Sequence, residues 1–135
     1  MFTSVSNRSA AAYKRVNIET SVDSADPHRL ISLLFEALQR SLNAAQDAIK
    51  RADVIAKIKH IDNAVRILDE GLKAPLNLQD GGEIAANLND LYDYCINRLV
   101  LANIRNDASV VAEVIQVINP IASGWNEIKQ QGLLN

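Results

Sequence analysis

A helix-start signal followed by a broad apolar pattern marks the stretch from Asp80 to Asn103, and this stretch constrains the fold most. Asp80 stands three residues before Glu83, so its carboxylate can accept a first-turn N–H while Glu83 reaches back to the N–H of Asp80. A helix with two apolar rows needs neighbours on more than one side, so this stretch is predicted to be the central helix. The rows are Ile84, Leu88, Leu91, Cys95, Leu99 and Ala102, and Ala85, Leu88, Tyr92, Ile96 and Leu99.

Three further aspartates precede apolar patterns with helical spacing. Asp26 is followed by Pro27, which suits a first helical position because it lacks an N–H that would have no partner there. Asp53 and Asp107 are the other predicted caps. We therefore predict an all-α fold, an antiparallel up-and-down four-helix bundle with short loops. The predicted helices lie near residues 27–52, 54–73, 82–105 and 108–131.

The last helix contains a proline, which breaks the pattern of its apolar residues. Pro120 cannot donate to the carbonyl four residues back, yet Asn119-Pro120 is itself a cap-plus-proline start. The sequence therefore predicts a kink or a restart at Asn119. Trp125 continues the apolar spacing and is expected on the inner face of the bundle.

The first 24 residues are polar, and their few apolar side chains are widely spaced. We expect a mobile N-terminal segment over residues 1–24 and a bundle domain over residues 25–135. Residues 10–16 form a short helical pattern that brings Ala12, Tyr13 and Val16 together, so the segment is expected to dock loosely. The alternative, a frayed tail without a role, stays open.

Composition excludes several classes of protein. The 135 residues are 48% hydrophobic and carry a net charge of -2, so no overall positive field attracts nucleic acid or an anionic membrane. No apolar run reaches the roughly 18 residues of a membrane span, and the N-terminus lacks the apolar core of a signal peptide. The single cysteine, Cys95, suits a reducing cytoplasm and is interpreted as a small buried residue.

Catalytic and cofactor motifs are absent from the sequence. It contains no glycine-rich phosphate loop, no paired cysteines and no Glu-x-x-His pattern, so neither an enzyme nor a metal or cofactor site is predicted. A histidine phosphotransfer module is the alternative among four-helix bundles. His28 and His60 both lack a lysine and a glycine three and four residues later, so they are interpreted as ordinary surface residues.

Some apolar residues lie outside the tightest seams, which points to a groove for a partner helix. Ile55, Ile67, Leu76 and Leu78 are the clearest of these. The alternative is a thick core that buries all of them. The candidate partner-binding residues are Tyr13, Val16, Ile55, Ile67, Leu76, Leu78, Leu88, Tyr92, Ile96 and Leu99.

Several short segments resemble the flagellar secretion chaperone family that escorts flagellin, FliS. Two positions depart from the pattern, because Phe35 stands where a tyrosine is common and Pro120 is not expected in the family. The segments are Gly82 to Leu88, Leu91 to Tyr94, Arg98-Leu99, Ala102-Asn103 and, earlier, Pro27, Leu30-Ile31 and Leu33 to Ala37.

This resemblance implies a function that composition and spacing do not give. It implies a small cytoplasmic helical bundle that binds the disordered C-terminal region of flagellin and prevents its premature polymerisation. It also implies delivery to the flagellar export apparatus, with a component of the export gate as a second partner. An unrelated helical adaptor that does not bind flagellin is the remaining alternative.

Overall fold

Five helices make up most of the chain that the computed structural model describes, which comprises residues 5–16, 26–128 and 132–135. A π-helical segment, Ile67–Lys73, directly continues the third helix, and a 3₁₀ turn, Trp125–Glu127, follows the fifth. The helices are α1 (Val5–Val16), α2 (Pro27–Lys50), α3 (Val54–Arg66), α4 (Gly82–Arg105) and α5 (Ala108–Gly124).

Helices α2 to α5 form a closed ring in chain order. Each packs against the next, and α5 packs back against α2, as in an up-and-down bundle. Leu38, Leu68, Leu99 and Val114, one from each wall of the ring, are fully buried between them. The all-α bundle predicted from the sequence is therefore confirmed.

The cap residues explain where three of these helices begin. The Asp26 carboxylate accepts from the backbone N–H of Arg29 at 2.7 Å, and Pro27 occupies the first turn. Asp53 accepts from the N–H of Ala56, and Asp107 accepts from that of Ser109. These three predicted caps are confirmed.

The predicted cap at Asp80 is wrong. Helix α4 begins at Gly82 with Gly81 as its cap residue, and this glycine has no side chain that could bond to the first turn. The Asn77 side-chain oxygen instead accepts from the backbone N–H groups of Gln79 and Asp80, and the Asn77 backbone carbonyl accepts from the N–H of Gly81 at 2.8 Å. This turn places Asp80 before the helix rather than at its cap.

The π-helical segment keeps consecutive apolar residues on the inner side of the bundle. Ala64, Leu68, Leu72 and Leu76 follow one another at steps of four and are all buried. An α-helix overshoots a full turn by about 40° at each such step, and the wider π turn reduces this drift. Gly71 also lets this segment approach α2, because a Cβ there would lie 3.0 Å from Leu34 Cδ2.

Of the two outcomes predicted at Asn119, a kink or a restart, the restart is wrong, since one helix runs from Ala108 to Gly124 across Pro120. The kink stays a prediction. Proline has no N–H to donate to the backbone carbonyl four residues back, which is that of Gln116. Pro120 and Gln116 are both exposed, so water can donate to this carbonyl instead. The predicted end near residue 131 is also wrong, because the chain is extended at Ile128. Trp125 is buried, as predicted, although it lies just beyond α5.

Helix α1 packs across α2 and the π-helical segment. Ala12 and Tyr13 are buried there, and the Ser9 hydroxyl donates to the Gly71 carbonyl at 2.9 Å. The short docked segment predicted from the sequence is therefore present. The side chain of Val16 lies outside the described residues.

The C-terminal residues return to the loop between the π-helical segment and α4. Leu134 forms an isolated antiparallel bridge with Leu76, and Leu133 is buried. The N–H of Asn77 donates to the Leu133 carbonyl at 2.8 Å, and the N–H of Asn135 donates to Pro75 at 2.8 Å. This pairing satisfies backbone groups of the loop and fixes the entry to α4.

Candidate partner-binding surface

Exposed large apolar side chains are concentrated on two neighbouring helices. Among the described residues, nine such side chains are exposed, three on α3, five on α4 and one in the loop before α4. None of the nine lies on α2 or α5. The nine are Val54, Ile55, Ile58, Leu78, Ile84, Leu91, Tyr94, Val100 and Ile104.

Two lysine contacts show which side of α4 faces α3. Lys57 Nζ donates to the Asn103 carbonyl at 3.0 Å, and Lys73 Nζ lies 2.8 Å from Asp93 Oδ1. Residues three and four apart share a helix face, so Ile96 and Val100 lie on the same side of α4 as Asp93 and Asn103. Ile96 is half-buried against the core, whereas Val100 is exposed.

The start of α3 supplies the other wall of this surface. Val54 and Ile58 are one turn apart and both are exposed. Ile55 and Ile104 project furthest into solvent, with 83% and 74% of their surface exposed. We call this surface the α3–α4 apolar groove, and it comprises Val54, Ile58, Ile96, Val100 and Ile104, with Ile55 at its outer edge, one turn before Lys59 on α3.

A buried cation lies at one end of the groove. Lys57 is only 6% exposed, and its ammonium donates to Asn103 O and to Asn106 Oδ1, the latter at 2.6 Å. The stem of Lys57 borders a cavity of about 220 Å³ whose other walls include Ile49, Val54 and Asp53. The lysine thus joins the start of α3 to the end of α4, and it holds the groove walls in place.

A second exposed row lies on the opposite side of α4, towards α5. It contains Ile84, Leu91 and Tyr94. The Tyr94 hydroxyl donates to Glu113 on α5, and Arg98 donates to the same carboxylate at 3.0 Å. The hydrogen bond from Tyr94 is the largest influence that lowers the pKa of Glu113, and Arg98 adds to it. Within this row, Tyr94 is therefore fixed by a hydrogen bond that joins α4 to α5.

The residues predicted to bind a partner fall into two groups. Ile55 and Leu78 are exposed, and Ile96 lies on the groove side of α4. The expectation that Ile67 and Leu76 lie outside the core is wrong, because the π-helical segment and the C-terminal bridge bury them. The remaining predicted residues with described side chains are also buried, namely Tyr13, Leu88, Tyr92 and Leu99.

The groove contains four residues that the sequence interpretation missed. By spacing, Val54 and Ile58 continue the row of the buried Ile61 and Leu68, so the sequence predicts both on the inner face of α3. Val54 is exposed because a residue directly after a cap lies at the end of the bundle, where neighbours are few. Val100 and Ile104 belong to neither apolar row of α4. That mismatch was the available signal, because an apolar residue outside both rows of a helix has no predicted neighbour.

The histidines and the cysteine form no reactive cluster in the described residues. Cys95 is fully buried, as predicted, and burial raises the pKa of its thiol to about 11. His28 is partly covered by the Trp125 ring, and burial is the main cause that lowers the pKa of His60. Within residues 5–16, 26–128 and 132–135 no group of His, Cys, Asp and Glu is suited to hold a metal. No helix described there is long and apolar enough to cross a membrane.

Comparison with known proteins identifies the family of this chain. The model of the family described as "Flagellar protein FliS" matches residues 9–132. The flagellar secretion chaperone FliS of Salmonella typhimurium is 45% identical over 117 residues, which is 87% of each chain. The flagellar secretion chaperone FliSB of Pseudomonas aeruginosa is 41% identical over 86% of this chain and 91% of its own. The flagellar secretion chaperone FliS of Vibrio cholerae is 32% identical over 89% of this chain and 88% of its own. The chain therefore belongs to the FliS family of flagellar proteins.

Proposed function

We propose that this chain is a flagellar secretion chaperone that acts in the cytoplasm and binds the C-terminal region of flagellin. Two findings support the proposal. The relatives that cover most of the chain carry the name of such chaperones. The α3–α4 apolar groove exposes large apolar side chains on two helices that pack against each other, and an amphipathic partner helix requires such a surface. The groove is the observation on which the proposed contact with flagellin rests.

The proposed mechanism is folding upon binding. A disordered flagellin segment would form helices whose apolar faces cover Val54, Ile58 and Val100, which are already partly buried. Full burial of such a side chain is worth about 1.5 to 3 kcal/mol, and a smaller gain remains here because of that prior burial. Ordering the segment costs free energy, so the affinity depends on covering many such side chains at once. While covered, the same apolar face of flagellin is unavailable for packing against other flagellins.

The second part of the proposal concerns delivery. A chaperone that leaves the N-terminal part of its cargo unbound can present the complex to the flagellar type III export apparatus. We propose that a component of the export gate receives this complex. A bound and soluble cargo is then released only where the apparatus draws it away, which prevents polymerisation in the cytoplasm.

The groove can be tested with two of its most exposed residues. The double variant Ile55→Asp, Ile104→Asp places charge in the groove at positions where folding does not depend on burial. We expect at least a tenfold loss of affinity for a flagellin C-terminal fragment, measured by calorimetry, or about 1.4 kcal/mol. The control is Asn43→Asp, Gln116→Asp, which adds the same charge at exposed positions on α2 and α5.

Two outcomes would contradict the proposal. Undiminished binding by the folded groove variant would mean that flagellin binds elsewhere on the chain. An equal loss of affinity in the control would mean that the added net charge, and not the groove, causes the loss. Tyr92→Asp does not serve this purpose, because Tyr92 is only 2% exposed and a carboxylate there would unfold the bundle. Circular dichroism melting of each variant establishes that the fold is retained.

A further inference from the structure

A basic groove lies on the opposite side of α3 from the α3–α4 apolar groove. It has a volume of about 250 Å³ and is bordered by α2 and α3. Small residues form its floor, since Ala37 and Ser41 are almost fully buried and Ala44 lies one turn further along α2. A floor of small side chains lets a partner chain approach the helix pair closely. The groove is lined by Ala37, Arg40, Ser41, Ala44, Lys59, His60 and Asn63.

The lining of this groove is positive although the whole chain has a net charge of -2. Among the described residues that line it, Arg40, Lys59 and His60 are basic and none is a carboxylate. Neither Arg40 nor Lys59 forms an ion pair within the described part of the chain, unlike Arg51, Lys73 and Arg98. Carboxylates near in sequence are exposed, paired or directed elsewhere. Glu36 lines the cleft beside Trp125, and Asp62 is exposed on α3. Asp53 favours the charged form of His60, but its carboxylate is paired with Arg51.

The chemistry of the three basic groups defines what fits. Arg40 offers a planar fork of N–H donors that matches a carboxylate, and Lys59 offers a compact ammonium. Burial and the charge of Lys59 lower the pKa of His60, so near pH 7 its ring is mostly neutral and supplies one N–H donor. Two permanent cations are too few for the phosphate backbone of a nucleic acid, and the groove lining contains no aromatic residue other than His60 for stacking on bases.

We propose that the basic groove of Arg40, Ser41, Lys59 and His60 is a docking site for carboxylate side chains of a second protein. Charge complementarity argues for an acidic polypeptide, and the small floor residues argue for a segment that lies along α2 and α3. His60 and Asn63 face α2, whereas Lys57 reaches α4, so the two grooves lie on different sides of α3. Flagellin and the acidic partner therefore bind at the same time. This site does not depend on the function proposed above.

The test uses a short glutamate-rich helical peptide and a peptide of the same length with glutamine instead. We expect the wild-type chain to bind the glutamate peptide alone, with an affinity that falls as salt is raised. The variant Arg40→Gln, Lys59→Gln is expected to weaken this binding about tenfold, through two partly solvated ion pairs. The control Lys50→Gln, Arg105→Gln removes the same charge from exposed positions outside the groove, and we expect a change below about twofold.

Three results would overturn the proposal. They are equal binding of both peptides, an equal loss in the two double variants, or binding of phosphatidylserine vesicles in place of the peptide. A separate measurement tests whether the two grooves are independent. The variant Arg40→Gln, Lys59→Gln is expected to bind a flagellin fragment with the wild-type affinity. A loss there would assign the basic groove to flagellin. If the wild-type chain binds the glutamate peptide but not flagellin, the proposed chaperone function is refuted and the proposed basic docking site is supported.

Discussion

The indole ring of Trp125 stacks on the imidazole ring of His28, with ring centroids 5.5 Å apart and planes inclined by 19°. The indole Nε1–H also donates to the His28 carbonyl at 3.2 Å. The ring of Phe35 packs against the indole at a tilt of 52°, with centroids 6.1 Å apart. These contacts join the end of α5 to the first turns of α2, so they close the ring of four helices at the point where α5 has already ended.

The first prediction follows from this closure. Trp125→Ala is expected to lower the free energy of unfolding by about 3 to 5 kcal/mol, because a large buried ring and its neighbours' contacts are lost. Urea titration followed by circular dichroism measures the change. A loss below about 1 kcal/mol would show that the ring contributes little to the bundle. Asn126→Ala, at the neighbouring exposed position, is the control and should change stability by less than about 0.5 kcal/mol.

Lys57 and Lys59 give a second prediction as a matched pair on one helix. Lys57 is buried and donates to Asn103 O and Asn106 Oδ1, whereas Lys59 is exposed. Lys57→Ala is expected to cost about 1.5 to 3 kcal/mol, the usual worth of hydrogen bonds from a charged group, while Lys59→Ala should cost less than about 0.5 kcal/mol. Equal costs in urea titration would mean that the Lys57 contacts are not stabilising.

A third prediction concerns the carboxylate that joins α4 to α5. The pKa of Glu113 is lowered by the hydrogen bond from Tyr94 and by Arg98, so this group stabilises the fold above its ordinary pKa. That contribution is lost as the pH falls below the ordinary value of 4.5 and through the lowered pKa of Glu113. In Glu113→Gln the free energy of unfolding should therefore fall less steeply over this range than in the wild type. Asp62→Asn, an exposed carboxylate on α3, should keep the wild-type slope, and a wild-type slope in Glu113→Gln would contradict the argument.

Local signals in the sequence predicted much of the fold. Asp26, Asp53 and Asp107 each act within a few residues of their own position, so their side chains and the following pattern sufficed. The predicted cap at Asp80 was wrong because another side chain, that of Asn77, forms the hydrogen bonds of the turn before α4. The C-terminal residues, which are distant in sequence, also bond to this turn. The restart predicted at Asn119 was wrong because Pro120 and Gln116 lie on an exposed side of α5, where water can donate to the carbonyl that loses its partner, and sequence spacing alone did not show this.

The candidate site was harder to predict than the fold. Ile55 was identified correctly as an unpartnered apolar residue, whereas Ile67 was not, since its burial depends on a π-helical segment that no periodicity predicts. Tyr92 belongs to the face that α4 turns towards the core, and spacing cannot say which of two apolar rows is covered. The exposed positions on α3 and α4 follow only from knowing which helices are neighbours.

The last prediction concerns α1. Its buried residues Ala12 and Tyr13 cover part of α2 and the π-helical segment, beside the wall that Lys73 joins to Asp93 on α4. We expect a wrapping flagellin segment to extend from the groove onto this covered surface, so that α1 must leave first. If α1 is docked in about 90% of molecules, the apparent affinity is weakened about tenfold, or roughly 1.4 kcal/mol, because only the open fraction binds.

Deleting residues 1–17 is therefore expected to tighten flagellin binding and to raise the fluorescence of a hydrophobic dye in the free protein. Calorimetry of the truncated and full-length chains, each checked by thermal melting, measures the first effect. Tyr13→Ala, which keeps the segment but removes its buried ring, should tighten binding in the same direction. Exposed Ala11→Ser is the control and should bind flagellin as the wild type does. Weaker binding after truncation would mean that α1 contacts flagellin directly, because its removal would then delete a part of the interface instead of a competitor for it.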